Sequence, residues 1–162
     1  MVNHAGEHGA VSIYAGQLMV ARLRAKGMAP ELAEFKLHEE RHRAIFASEL
    51  KRRGVRRCRS YWLCGAGGLV LGIATGLLGG RAMATTTVAV ERVVLRHLQV
   101  QLRELDQADP AAVAAIAAIV GDEQTHHDRS AMRAGAQGQC DRLLAALVSG
   151  ATESVIWLGM RL

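Results

Sequence analysis

Two sets of acids and imidazoles in this chain repeat one spacing, and that repeat limits the available folds more than any other feature. Glu7 precedes Glu39 by 32 residues and His42 stands three places after Glu39; Glu91 precedes Glu123 by 32 and His126 stands three places after Glu123. Each member of the first set lies 84 residues before its counterpart in the second. Ten Glu and seven His in 162 residues would give about 0.4 Glu-x-x-His pairs by chance, so two such pairs alone say little. The matched upstream glutamates make the pattern specific. Residues at i and i+3 project from one helix face, so each Glu-x-x-His offers a carboxylate and an imidazole to the same point. Each upstream helix adds a further carboxylate.

The surrounding sequence supplies those helices. Only two prolines occur, and Ala, Leu and Arg dominate, so an all-α chain is expected. A first helix is predicted from Asn3 to Lys26, ending at a C′ glycine, Gly27, with Glu7, Ala10, Val11, Tyr14, Leu18 and Ala21 along its buried stripe. A second starts with Pro30 in its first turn, carries Leu32, Phe35, Glu39, His42, Phe46 and Leu50, and stops at Gly54. A third, from Arg81 to Gln107, sets Val88, Glu91, Leu95, Leu98, Leu102 and Leu105 on one side. Asp109 caps a fourth, which opens with Pro110 and carries Ile116, Val120, Glu123 and His126. In all four the acids interrupt an apolar face.

Four carboxylates and two imidazoles directed inward from four helices match the ligand pattern of di-iron and di-manganese bundles. Mixed carboxylate and imidazole donors suit iron or manganese, whereas calcium takes oxygen alone and structural zinc favours thiolates. Four ionised carboxylates in an apolar core would be prohibitive without nearby positive charge, and two divalent cations supply it. Other histidines carry less weight. His127, at i+4 from Glu123, leaves an exchange of ligand open, and His97 is either packed or a partner of the ligands. His4, His8 and His38 are expected at the surface or in first turns.

Between Ser60 and Gly80 runs an uncharged stretch, YWLCGAGGLVLGIATGLLGG, of spanning length. Within it Gly68, Gly72, Gly76 and Gly80 recur every four residues, giving one face of bare backbone on which a helix or a lipid chain can lie. Burial in protein or partial insertion is expected here in preference to a span. Lys51, Arg52, Arg53, Arg56, Arg57 and Arg59 precede it, a cluster suited to anionic headgroups. A last apolar segment, Gln139 to Leu162, is expected to pack on the bundle or on a bilayer.

The net charge of +5 suggests attraction to something anionic, yet aromatic residues at 4% leave little stacking surface, and no nucleic-acid partner is expected. Cys58, Cys64 and Cys140 form no CxxC and point to neither a disulfide framework nor a thiolate metal site. The N-terminal MVNHAGEHGA lacks the apolar core of a signal peptide. No GxxxxGK[ST] or dinucleotide fingerprint is present.

The segments VNHAGEHGAV, IYAGQ, EERH, AVE, DEQTHHD and IWLGMRL resemble the demethoxyubiquinone hydroxylase family of ubiquinone biosynthesis, over almost the whole chain. The resemblance implies one ferritin-like di-iron domain over residues 1–162: a four-helix bundle with additional apolar helices, at about 60–80 and 139–162, that contact the membrane. It implies a monooxygenase that hydroxylates the ring of a polyprenylated demethoxybenzoquinol with O₂ and external electrons, NADH being the reported source. The implied ligands of two iron ions are Glu7, Glu39, His42, Glu91, Glu123 and His126, with Glu39 and Glu91 as bridging, catalytic ligands. Implied partners are the quinone, O₂, membrane lipids near Lys51–Arg59, a lipid-binding accessory protein and a second copy of the chain. The implied location is the cytoplasmic face of a bacterial inner membrane, or the matrix face of the mitochondrial inner membrane for a processed form. One departure stands out: many members place a tyrosine after the third-helix histidine, where this chain has Leu98 after His97. The alternatives are a rubrerythrin-like peroxidase, against which the long apolar stretch argues, and an iron-storage protein, whose outer helices would be mostly polar.

Overall fold

The computed structural model describes residues 1–161, which contain helices and no strand. In chain order these are α1 (Val2–Arg24), a 3₁₀ turn (Lys26–Met28), α2 (Ala29–Arg52), α3 (Tyr61–Leu78), α4 (Gly80–Leu105), α5 (Pro110–Ala134) and α6 (Gln139–Gly159). The chain is therefore all-α, as a ferritin-like bundle requires. It divides into two compact units, one of Met1–Met83 with Glu153–Leu162 and one of Ala84–Thr152.

In the first unit α1 packs against both α2 and α3. Tyr14, Leu18, Ala21, Met28, Leu32, Phe35 and Met83 form its main core, where the rings of Tyr14 and Phe35 meet edge to face with centroids 5.7 Å apart. α3 lies against α1 backbone to backbone. A Cβ on Gly68 would collide with the carbonyl oxygen of Gly9, and one on Gly72 with that of Ile13. Gly68, Gly72 and Gly76 of the four-residue rhythm thus form a docking face for α1, whereas Gly80 opens α4 and meets Met28. A second cluster of Ala5, Cys58, Tyr61 and Cys64 closes the end of this interface, with Val155 of α6 against it.

In the second unit, Val88, Ala89, Val93, Leu95 and Leu98 on α4 and Ile116 and Ile119 on α5 are buried. Ser149 of α6 donates to the Ala89 carbonyl at 3.4 Å. Asp109 caps α5 as predicted, its Oδ1 accepting from the Ala112 N–H at 3.1 Å, with Pro110 in the first turn.

Two sequence expectations need correction. Gly27 is not a left-handed C′ residue, because α1 ends at Arg24 and the Met28 N–H closes a tighter turn on the Ala25 carbonyl at 2.8 Å. That turn reverses the chain and delivers Met28 to the core, so no left-handed glycine is required. The left-handed glycines are Gly54, Gly79 and Gly135, with φ of 63°, 102° and 64°. His8 is likewise neither in a first turn nor fully at the surface: it is half-buried on Tyr61 at the start of α3, and His4, in the first turn of α1 as expected, is buried against the same ring.

Candidate metal centre

The first unit brings three of the predicted donors together. Glu7 projects from the second turn of α1, and Glu39 and His42 from one face of α2. Their candidate ligand atoms lie within 4.8 Å of one another. His42 Nδ1 stands 3.8 Å from a Glu7 oxygen and 3.7 Å from a Glu39 oxygen. These separations exceed hydrogen-bonding range. They are those of neighbouring donors on one cation, since two atoms each about 2.1 Å from a metal stand about 3–4 Å apart. Phe35 and Phe46, one turn to either side on α2, are buried on the same face.

The second unit repeats the arrangement with Glu91 on α4 and Glu123 and His126 on α5, again with ligand atoms within 4.8 Å of one another. His126 Nδ1 lies 3.5 Å from a Glu123 oxygen. None of the six residues is more than 5% exposed. Carboxylates are almost never buried so deeply without a compensating charge. Each triad holds two carboxylates, whose charge one divalent cation balances, and its donors are the types that iron accepts. The residues present therefore fit a metal.

The remaining histidines separate cleanly. His127 turns away from this pattern: its Nδ1 lies 2.9 Å from Asp128 Oδ1 at the surface, which draws the Asp128 carboxyl below its usual range. His97 is half-buried, and burial together with Arg96 lowers its pKa, which favours the neutral ring. Sequence reasoning missed a cluster at the start of α3, where Tyr61 carries His8 at a centroid distance of 4.1 Å and His4 at 5.0 Å. The clue lay in the i, i+4 spacing of the two histidines on α1. A further missed residue is Gln17, fully buried, whose Nε2 donates to Thr75 Oγ1 at 3.2 Å and ties α1 to α3.

An all-α chain with buried acids and imidazoles that could hold a metal ion fits the pattern of helical carboxylate metalloproteins. Residues 1–159 match the family described as Ubiquinone biosynthesis protein COQ7, and the chain belongs to that family. It is 32% identical to a protein of Dictyostelium discoideum named NADPH-dependent 3-demethoxyubiquinone 3-hydroxylase, mitochondrial, over 99% of this chain and 74% of that protein. It is 30% identical to the 3-demethoxyubiquinol 3-hydroxylase of Rhodospirillum rubrum, over 99% of this chain and 75% of that protein. A Legionella pneumophila protein of the same name is 34% identical over 83% of this chain and 62% of its own length.

Proposed function

We propose that this chain is a di-iron monooxygenase that hydroxylates the ring of a polyprenylated demethoxybenzoquinol, with residues 1–162 working as one ferritin-like domain. The observation that carries this reading is the pair of buried triads, Glu7, Glu39, His42 and Glu91, Glu123, His126, in a chain of this family. One triad would balance one divalent cation, so the two together would hold two irons, with Glu39 and Glu91 among the ligands in the catalytic role. Bound iron supplies the O₂ and electron-transfer chemistry that no side chain here can perform.

The chain's own contribution is position and dryness. Phe35 and Phe46 on α2, and Ile116 and Ile119 on α5, are buried on the faces that carry the donors. Excluding water there strengthens the attraction between carboxylate and cation and protects the reaction from hydrolysis. Electrons come from a reduced nicotinamide, the donor type that the mitochondrial relatives' names carry. Hydroxylases in name, these relatives argue against the peroxidase and storage alternatives.

The greasy surface suits a substrate with an isoprenoid tail. α3 is long and apolar enough to cross a membrane, with a mean hydropathy of 1.6 over its 18 residues. One of its faces is locked on α1, while Trp62, Leu63, Leu69, Val70, Leu77 and Leu78 are exposed on the other. A helix with one face committed to protein is suited to lie in the bilayer surface, and Lys51–Arg59 beside it meet anionic headgroups. The protein is then peripheral, on the cytoplasmic face of a bacterial inner membrane or the matrix face of the mitochondrial one.

The test is turnover of a demethoxyquinol analogue by iron-loaded protein with reductant and ¹⁸O₂. Label in the new ring hydroxyl is expected. Ring oxygen drawn from water instead would overturn the monooxygenase assignment.

A further inference from the structure

Several cations of α2 and its C-terminal end have acid partners: Lys36 reaches Glu40 at 2.6 Å, and the side chains of Arg52 and Arg53 both donate to Glu49. Arg43 and Arg57 differ. Neither forms an ion pair with a carboxylate among the described residues. Both instead converge on the cluster at the start of α3. Arg43 Nη1 lies 3.3 Å from His8 Nδ1. His8 lies flat on Tyr61, its plane within 7° of the phenol ring. The Arg57 guanidinium sits 5.1 Å from the Tyr61 centroid and 4.9 Å from that of Trp62.

This geometry arms the two cations rather than neutralising them. Arg43 donates to His8 Nδ1, which spends one N–H and leaves the rest of its fork open. The other edge of His8 fits only because Gly65 is bare, as a Cβ there would collide with Nε2. Arg57 stands over the Tyr61 and Trp62 rings and makes no ion pair among the described residues, so its N–H groups remain available to an oxyanion. His4, buried against the same Tyr61, has an Nδ1 with no hydrogen-bond partner among the described residues. A buried polar atom of that kind calls for a partner from outside the chain.

We infer that Arg43 and Arg57, positioned by His4, His8, Tyr61 and Trp62, form a binding site for a phosphate diester, supplied by the headgroup of a membrane phospholipid. Two forked guanidinium groups are the donors that match phosphate geometry. The lipid source follows from position. Trp62, 65% exposed, belongs both to this cluster and to the apolar outer face of α3. An indole and an arginine at the start of an apolar helix stand at the level of the headgroups. The inference rests on the proposed seating of α3 on a bilayer, and the experiment separates the two.

Full-length protein is floated with vesicles of phosphatidylcholine alone, which present phosphate without net charge. Arg43→Gln with Arg57→Gln should weaken partition about tenfold or more, as expected for lost charge-assisted hydrogen bonds. Arg56→Gln with Arg59→Gln, equal in charge and outside the cluster, should change it by less than about twofold, because vesicles without net charge offer no general attraction. Arg57→Gln alone alters an exposed side chain and should by itself weaken partition about threefold or more, which keeps the test decisive if the double variant misfolds. Equal loss in both pairs, or no loss in the first, overturns the site. Wild-type protein that fails to float overturns the seating of α3 itself. Saturable binding of inorganic phosphate that the Arg43 and Arg57 changes abolish, with partition untouched, overturns the lipid source.

Discussion

The two units hold the same triad by different means. In the first, α1 and α3 interlock through bare backbone at Gly68 and Gly72, and the aromatic pair Tyr14 and Phe35 fills the core. In the second, the helices that carry the triad pack with branched aliphatic chains, Val88 and Val93 on α4, Ile116 and Ile119 on α5. The run from Ala84 to Glu91, three threonines included, is buried around the whole helix. The 84-residue echo is therefore confined to the donors and does not extend to the packing. A constraint on ligand position, rather than on core shape, accounts for that pattern.

The comparison is broken most severely at the ligands. Glu39→Gln in the first unit and Glu123→Gln in the second should each lower hydroxylation by at least about a hundredfold, since even residues that only orient ligands cost 10–100-fold. Steady-state turnover of both variants under identical iron loading is the measurement. A large loss in one and full activity in the other would end the claim that the triads are equivalent.

Packing should separate the units where the ligands do not. Gly72→Ala drives a methyl group into the Ile13 carbonyl, and overpacking of this kind costs about 1–3 kcal/mol. For a chain of this size that lowers the melting temperature by about 2–4 °C per kcal/mol. Gly121→Ala, on α5 where a Cβ meets nothing within 4 Å, should stabilise by about 0.5–1 kcal/mol. Thermal melts followed by circular dichroism read both, and a Gly72→Ala protein as stable as Gly121→Ala would remove the interlock from the account.

Much of this was legible in the sequence, for reasons tied to particular residues. The i, i+3 pairs and the caps are local, so Glu39 with His42, Pro30, Asp109 and Gly54 fell where spacing placed them. The end of α1 was misplaced because a 3₁₀ turn at Lys26–Met28 does the work that a glycine usually does. The His4–His8–Tyr61 stack was not legible, since it joins residues more than fifty positions apart across an interface that only the glycine face of α3 permits. The basic run before α3 gave charge but not partners. Only the structure shows that Arg52 and Arg53 are ion-paired with Glu49 and that Arg57 is not.

Smaller effects sharpen the contrast at the helix ends. Asp109→Ala removes the α5 cap and should cost about 1 kcal/mol, read from the midpoint of urea unfolding. An unchanged midpoint would mean that the cap is not used. Smallest is the acid response of Glu49, whose carboxyl is held down to about 2 by hydrogen bonds from Arg52 and Arg53. A carboxylate with a depressed folded pKa adds stability above its unfolded value of 4.5, and that contribution fades as pH falls from 4.5 towards 2. Being exposed, the group contributes little, so Glu49→Gln should remove only a shallow acid slope from a stability-versus-pH series. An unaltered slope would show the pair to be without effect.

The central claim is that the two triads take up a pair of irons. Anomalous diffraction at the iron edge from crystals of the loaded protein tests it most directly. Two peaks are predicted, the donors of Glu7, Glu39, His42, Glu91, Glu123 and His126 being their only protein ligands. A single peak, or iron bound elsewhere with these six side chains unliganded, would contradict it.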